Sequence, residues 1–227
     1  MQLRELLEET LNTASLECWA EESTLTPVRA LGVRLHSAGL SLRETAAVLK
    51  LVGVERSHQA IFQWVHRLAD HLPDPPRSTP RRVAVDETAV QVGTEWCWLY
   101  AAIDLDTKLL LGVRLSPRRG TTPAAAFPSE LKERHDLSEA ELLVDGFGYL
   151  TALARTDLSG HLEYTHRDKI EKWFQTLKMR VKRFHNTWNG GLASAARWLA
   201  AFVHYYNFQR SNQALENRTP VEEVLNQ

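Results

Sequence analysis

Asp86, Asp145 and Glu171 are the residues whose types and surroundings could do chemistry together in this 227-residue chain. Asp86 closes the alternating run Arg82-Val-Ala-Val-Asp86, and Asp145 closes the apolar run Glu141-Leu-Leu-Val-Asp145. Each run predicts a short strand that ends in a carboxylate. Ligands of open α/β sheets gather at the carboxyl ends of strands, so two such residues can lie side by side although they are far apart in sequence. Like charges brought that close repel unless a cation joins them. Hard carboxylate oxygens without thiolate or imidazole partners favour Mg²⁺ or Mn²⁺.

Glu171 falls in the first turn of the segment Arg167–Phe184, where Ile170, Trp173, Phe174, Leu177, Val181 and Phe184 recur at helical spacing. An amphipathic helix that docks on the sheet is expected there. Glu171, Gln175, Lys178 and Lys182 follow the i, i+4, i+7, i+11 rule, which puts a carboxylate on one face with cations suited to a phosphate backbone. Arg183 adds to this basic stretch. Taken singly, each acidic residue has a plainer reading. An Asp at a strand end more often shapes a turn or caps a helix, which applies equally to Asp104, Asp106 and Asp136, and a first-turn Glu complements the helix dipole. The order strand-Asp, strand-Asp, helix-Glu is what sets the three apart.

The elements that must position them can be read from periodicity. Trp96–Asp104 and Leu109–Leu115 predict two strands joined by the polar turn Leu105–Lys108, hence an antiparallel hairpin. A helix is expected over about 122 to 135, and a fifth strand over His161–Thr165. Four prolines within His71–Pro80 predict a linker, because proline removes a backbone donor and biases its predecessor toward extended backbone. The division expected is a helical module with the start of the linker over 1–75 and an α/β domain over 80–227.

In the helical module, Ser41 with Glu44 forms a capping box ahead of a helix that presents Leu42, Thr45, Ala46 and Leu49 on one face. After Gly53-Val54 a second helix is expected from Ser57. Ile61, Trp64, Val65 and Leu68 form its apolar stripe, and His58, Gln59, Gln63 and Arg67 its polar side. This is the outline of a helix-turn-helix, whose second helix would enter a DNA major groove. The competing reading is a helical hairpin used for packing or dimerisation.

Hydrophobic residues make up 44% of the chain and charged residues 24%, which excludes disordered and fibrous classes. The net charge of −1 leaves nucleic-acid binding to be judged from local basic stretches. Cys18 and Cys97 lack partners at zinc-ligand spacing, so reduced, buried thiols are expected. No apolar run approaches the roughly 20 residues that span a bilayer. Arg4, Glu5, Glu8 and Glu9 do not suit a signal peptide, and a cytoplasmic protein is expected.

Val85-Asp-Glu-Thr88, Leu143-Val-Asp-Gly146, Ile170-Glu-Lys-Trp-Phe-Gln-Thr-Leu-Lys178, His204-Tyr-Tyr-Asn-Phe-Gln-Arg210 and Arg218-Thr-Pro-Val-Glu222 resemble insertion-sequence transposases of the DDE superfamily. The likeness is to the sixth insertion-sequence family and its integrase-like relatives. It covers the chain from about 82 onward and, more loosely, the helical module. It implies a ribonuclease-H-like domain, a mixed five-stranded sheet flanked by helices, preceded by a small all-α helix-turn-helix module. It further implies Asp86, Asp145 and Glu171 as catalytic ligands of two Mg²⁺ or Mn²⁺ ions, with Lys178 at the basic position near the DNA end. The implied activity is strand cleavage and strand transfer on transposon ends and target DNA, by a homodimer or larger assembly in a prokaryotic, nucleoid-associated setting. The alternative is a catalytically decayed or repurposed DNA-binding protein that uses only the helix-turn-helix. Within the tail, Thr219 with Glu222 predicts another capping box. Tyr205, Tyr206, Asn207 and Arg210 could contact DNA or pack under the last helix, whereas Trp173, Trp188 and Trp198 are expected in the core.

Overall fold

Serine caps start the second and third of the three helices of the N-terminal region, and a proline in the first turn starts the first. In the computed structural model, which describes residues 23–226 apart from 120, 145–152, 155–157, 159, 163–166 and 183–186, these are α1 (Thr26–Ser37), α2 (Leu42–Leu51) and α3 (His58–Ala69). At 121–125, 161–162, 167–169, 178–182 and 187 the description extends to the backbone alone. The Glu44 N–H donates to Ser41 Oγ at 3.1 Å and the Ser41 N–H donates to Glu44 Oε2 at 2.7 Å, closing the expected capping box. Ser57 caps α3 by accepting the Ala60 N–H. Val33, Leu49, Ile61, Trp64, Val65 and Leu68 then meet in one buried cluster.

That cluster includes Ala201, because the compact unit formed by residues 1–73 also takes in 193–205, most of a helix far along the chain. Two polar contacts dock this helix, Leu192–His204. Arg197 Nε donates to Asp70 Oδ1 at 2.9 Å, and Ser194 Oγ lies 3.2 Å from His66 Nε2. Its Trp198 and Phe202 are buried and stacked at 5.4 Å between ring centroids.

The second unit, 74–192 with 206–227, is built on β1 (Arg82–Val92). β1 pairs antiparallel with β2 (Glu95–Asp104), from Val83 opposite Asp104 to Val92 opposite Glu95. The two-residue turn Gly93-Thr94 joins them, and Gly93 takes φ +60°, a conformation glycine adopts without steric penalty. β2 pairs antiparallel with β3 (Leu110–Ser116). In the turn between them the Asp104 carboxylate accepts from the Asp106 N–H and the Thr107 hydroxyl, at 2.9 and 2.6 Å. Asp106 pairs with Arg82, and Asp136 accepts from the Ser138 N–H and hydroxyl, so these three acids shape turns.

A crossover through α4 (Thr121–Arg134) leads to β4 (Glu141–Val144), which lies parallel to β1. β5 (Gly160–Leu162) is parallel to β4 in turn. The strand order is 3-2-1-4-5, and the two-residue β6 (Thr187–Trp188) pairs with the far end of β1, between α5 (Arg167–Lys182) and the helix Leu192–His204, here α6. This is the ribonuclease-H-like mixed sheet flanked by helices, with the two-residue β6 added to its five strands.

One difference matters for the site. β1 runs 11 residues and holds Asp86 in its interior, whereas the sequence pattern suggested a short strand ending there. Thr88, Val90 and Val92 continue the β-branched alternation, and their pairing with β2 outweighs the polar pair Asp86-Glu87.

Val83, Val85, Tyr100, Ala102, Leu111, Phe127 and Leu131 belong to one buried cluster on the face beneath α4. Gly112 permits that approach, since a Cβ there would stand 2.9 Å from Leu131 Cδ2. The edge of β3 is closed by Asn207, wholly buried, within a π-helical turn at Tyr205–Gln209. Its Oδ1 accepts the Leu110 N–H and its Nδ2 donates to the Leu110 carbonyl, both at 3.0 Å, as a neighbouring strand would. The chain ends with α7 (Pro220–Leu225), whose Thr219–Glu222 capping box is formed.

Three outcomes are expected. Asn207→Ala leaves a buried N–H and a buried C=O of Leu110 without partners, and should lower unfolding free energy by about 2–4 kcal/mol in urea titrations. Residues 1–73 expressed alone should fail to show cooperative thermal unfolding, and adding a 192–205 peptide should restore it. The third concerns two histidines: burial pushes His36 and His204 down to about 4, against the Leu40 carbonyl bond that favours charged His36. A depressed folded-state pKa contributes stability that is complete above the unfolded value near 6.5 and is lost as pH falls toward 4. At about pH 5 each histidine should therefore cost about 2 kcal/mol relative to neutral pH. Equal urea midpoints at both pH values would contradict this.

Candidate active site and nucleic-acid contacts

Antiparallel pairing fixes which way β1 side chains point. Asp86 pairs with Ala101 and shares its face with Ala84 and Thr88, opposite to the face of Val83 and Val85. Its carboxyl is buried, with 8% of the residue exposed, and Oδ1 accepts the Glu87 N–H at 2.8 Å. The parallel partner β4 matches Arg82 with Glu141, Val83 with Leu142 and Ala84 with Leu143. β4 ends at Val144, and Asp145, the next residue, lies outside the described residues.

α5 packs on β1. Its Ile170, Trp173, Phe174 and Leu177 are buried and stand apart from the cluster beneath α4, so they cover the opposite face of the sheet, the one to which Asp86 points. The 3.6-residue period that buries these four leaves Glu171 and Gln175 exposed. Lys178 and Lys182 lie on the same helix, with only their backbone described, and Arg183 lies outside the described residues. The structure thus brings the strand of Asp86 and the helix of Glu171 into contact on one face. Among the described residues no group of three His, Cys, Asp or Glu side chains is gathered for a metal ion. The donors on that face suit a hard cation: Asp86 and Glu171 offer carboxylate oxygens only. Cys97 on β2, whose thiol pKa is raised by burial and by Glu95, is a poor thiolate source.

Of the tail residues, Asn207 and Tyr206 are buried in packing roles, and the Arg210 guanidinium lies 5.4 Å from the Tyr206 ring centroid. Trp173 and Trp198 are core residues, and Trp188 is half-buried.

In the N-terminal unit, α3 buries Ile61, Trp64, Val65 and Leu68 and exposes His58, Gln59, Gln63 and Arg67. The four polar candidates therefore share the solvent side of the helix. Phe62 joins that side, 40% exposed, its ring 3.9 Å from that of His66.

Sequence reasoning passed over Glu87, Trp98 and Arg119. Arg119 Nε and Nη2 both donate to Glu87 Oε1, at 3.2 and 2.8 Å, and its guanidinium lies 4.4 Å from the Trp98 ring centroid. The available signal was Trp96-Cys-Trp98 on a predicted strand, whose indoles must share a face, together with Arg118-Arg119 just past the next strand.

The family model described as the DDE domain matches residues 81–211. An uncharacterized protein of Methanocaldococcus jannaschii is 29% identical over 188 residues, which make up 81% of this chain and 87% of that protein. Among solved structures, the HTLV-2 integrase catalytic core domain in complex with magnesium, in its trimeric form, aligns with a TM-score of 0.45 at 10% identity. That alignment covers 66% of this chain and 99% of the core domain. A chain of the simian T-cell lymphotropic virus intasome in complex with PP2A regulatory subunit B56 gamma aligns with a TM-score of 0.49 at 14% identity, covering 85% and 73%.

Proposed function

The chain belongs to the DDE superfamily of transposases, and from that premise we propose that it cleaves DNA at the ends of an insertion sequence and joins the freed 3′-hydroxyl to target DNA. Its coarser activity is that of a transposition-related, phosphoryl-transfer nuclease. The observation that carries the finer reading is the parallel register of β1 and β4. Ala84 pairs with Leu143; Asp86 follows two residues later in β1, and in the sequence Asp145 follows two residues after Leu143. With α5 packed on β1, Glu171 becomes the natural third ligand.

In this reading Asp86, Asp145 and Glu171 hold two Mg²⁺ or Mn²⁺ ions. Such ions supply charge stabilisation at the phosphorus and activate a hydroxyl at neutral pH. The protein's own part is positional. Asp86 is fixed by its place in the β1–β2 pairing, opposite Ala101, and Glu171 by the four buried residues of α5. Lys178, Lys182 and Arg183 hold the phosphate backbone beside them. Water serves as nucleophile for cleavage and the 3′-hydroxyl for transfer, so no covalent link to the protein is required. Residues 1–75 recognise the ends through His58, Gln59, Gln63 and Arg67 in a major groove, and 80–227 do the chemistry. Two ends must be processed together, which calls for a homodimer or larger assembly on nucleoid DNA in a prokaryotic cytoplasm. Among the described residues no helix is long and apolar enough to cross a membrane.

With Mn²⁺ and DNA carrying the element's ends, wild-type protein should nick at the ends. Asp86→Asn, Asp145→Asn and Glu171→Gln should each reduce nicking about a thousandfold, since the ions contribute several kcal/mol to the transition state. Mn²⁺ should raise the melting temperature of wild type more than that of Asp86→Asn. Persistent end binding with no nicking by wild type would instead favour a repurposed DNA-binding protein. Gln59→Ala should relax sequence preference at about 1–3 kcal/mol, whereas Arg67→Ala should weaken all sequences alike and reduce the salt dependence by about one counterion.

A further inference from the structure

The β1–β2 hairpin continues past Asp86 to its turn at Gly93-Thr94, and the face it presents on the α4 side is aromatic and cationic. Trp96 is 63% exposed there. Trp98, roughly 7 Å further along the same face, packs on the rim of the buried cluster beneath α4. Strand alternation sends Glu95 and Cys97 to the other face. The Arg119 guanidinium lies over Trp98 and is tied to Glu87, whose side chain is only 9% exposed, while Arg119 itself is 63% exposed. Arg114 on β3 pairs with Glu130, and Arg118 is exposed next in line. Among the described residues Arg114 and Arg119 are thus each paired with a carboxylate, and Arg118 adds a further exposed cation past the end of β3, while the Trp96 indole is open to solvent.

We propose that this hairpin face is a single-stranded DNA contact, in which Trp96 stacks on an unpaired base and Arg119, held over Trp98 by Glu87, takes the adjoining phosphate. The proposal rests on the DNA-processing reading above and names a strand-binding surface for it, separate from the carboxylates and from α3. An indole with its face in water stacks on any base, but only where pairing has been undone, which selects single strand over duplex. The guanidinium arrangement suits phosphate. Two donors occupied by Glu87 and one face occupied by Trp98 hold the group in a single orientation, so less freedom is lost on binding. A second copy of the chain is the competing occupant, and the exposed Arg118 and Arg119 disfavour it, because the same surface would meet itself.

The test uses the full chain and a fluorescein-labelled, single-stranded oligonucleotide of about 15 nucleotides, near the upper size for one stacking groove. Trp96→Ala and Arg119→Ala should each weaken binding about tenfold, with Trp96→Tyr restoring most of the loss and Arg119→Lys only part. Bound strand should shield tryptophan emission from acrylamide in wild type, and this shielding should shrink in Trp96→Tyr, a check that holds even if the alanine variants unfold. Wild-type affinity in both alanine variants would overturn the proposal. So would a shift of Trp96→Ala to a smaller species in sedimentation with strand affinity intact, which would assign the face to a copy of the chain. Absence of nicking by wild type would count against the catalytic reading alone and leave these outcomes legible.

Discussion

The pairing of β4 alongside β1 in parallel is the constraint on which the rest of the sheet-bearing unit depends. Antiparallel neighbours can be joined by a two-residue turn, as β1 and β2 are, but a parallel neighbour requires a crossover. Here the crossover is the stretch that contains α4, and α4 covers the sheet with Phe127 and Leu131. The handedness that such crossovers obey leaves the opposite face for α5. Moving the β1–β4 register by one residue would turn Leu142 and Val144 away from the cluster they fill beneath α4. The hydrophobic core beneath α4 and the pairing of the strand that carries Asp86 are therefore set by the same register, and neither can be altered alone.

Two aspartates on this sheet make a useful contrast. Asp104 is 3% exposed and Asp86 8%, so burial alone does not distinguish them. Asp104 spends both carboxylate oxygens on the turn it begins, a local arrangement that satisfies a buried charge with hydrogen bonds. Asp86 lies in the interior of an 11-residue strand, a setting that β-propensity disfavours for aspartate, with Ala101 opposite it. A residue that breaks a local rule within an otherwise consistent strand is where function is to be sought. Replacing Asp86 by valine would suit the strand better, and the chain carries aspartate nonetheless.

Much of this was legible in the residues, and what was not has physical causes. Capping boxes at Ser41 and Thr219 and the apolar stripe of α3 are local signals, and each appears as read. The β2–β3 hairpin follows from alternation around a polar turn. The length of β1 was hidden because Asp86-Glu87 looks like a strand end until β2 supplies partners for Thr88 to Val92. Asn207 could not be placed, since its bonds are to Leu110, 97 positions earlier. The Arg197–Asp70 and Ser194–His66 contacts span 127 and 128 positions. Pairings at such distances are decided by topology, which periodicity within a window does not contain.

The membership of α6 in the N-terminal unit bears on how that unit is assembled from distant parts of the chain. This chain passes between its two units three times, near 73, 192 and 205. On one side of α6, β6 pairs with β1, the strand of Asp86; on the other, Asn207 is pinned to β3. Each tether is thus anchored within a few residues to the sheet. The polar clamp of Arg197 on Asp70 and of Ser194 on His66 ties α6 to α3 and the residue that follows it. Ala201 of α6 lies in the same buried cluster as Ile61, Trp64, Val65 and Leu68 of α3, so polar and apolar contacts act together. Loosening the clamp would leave α6 held to its own unit by its apolar packing.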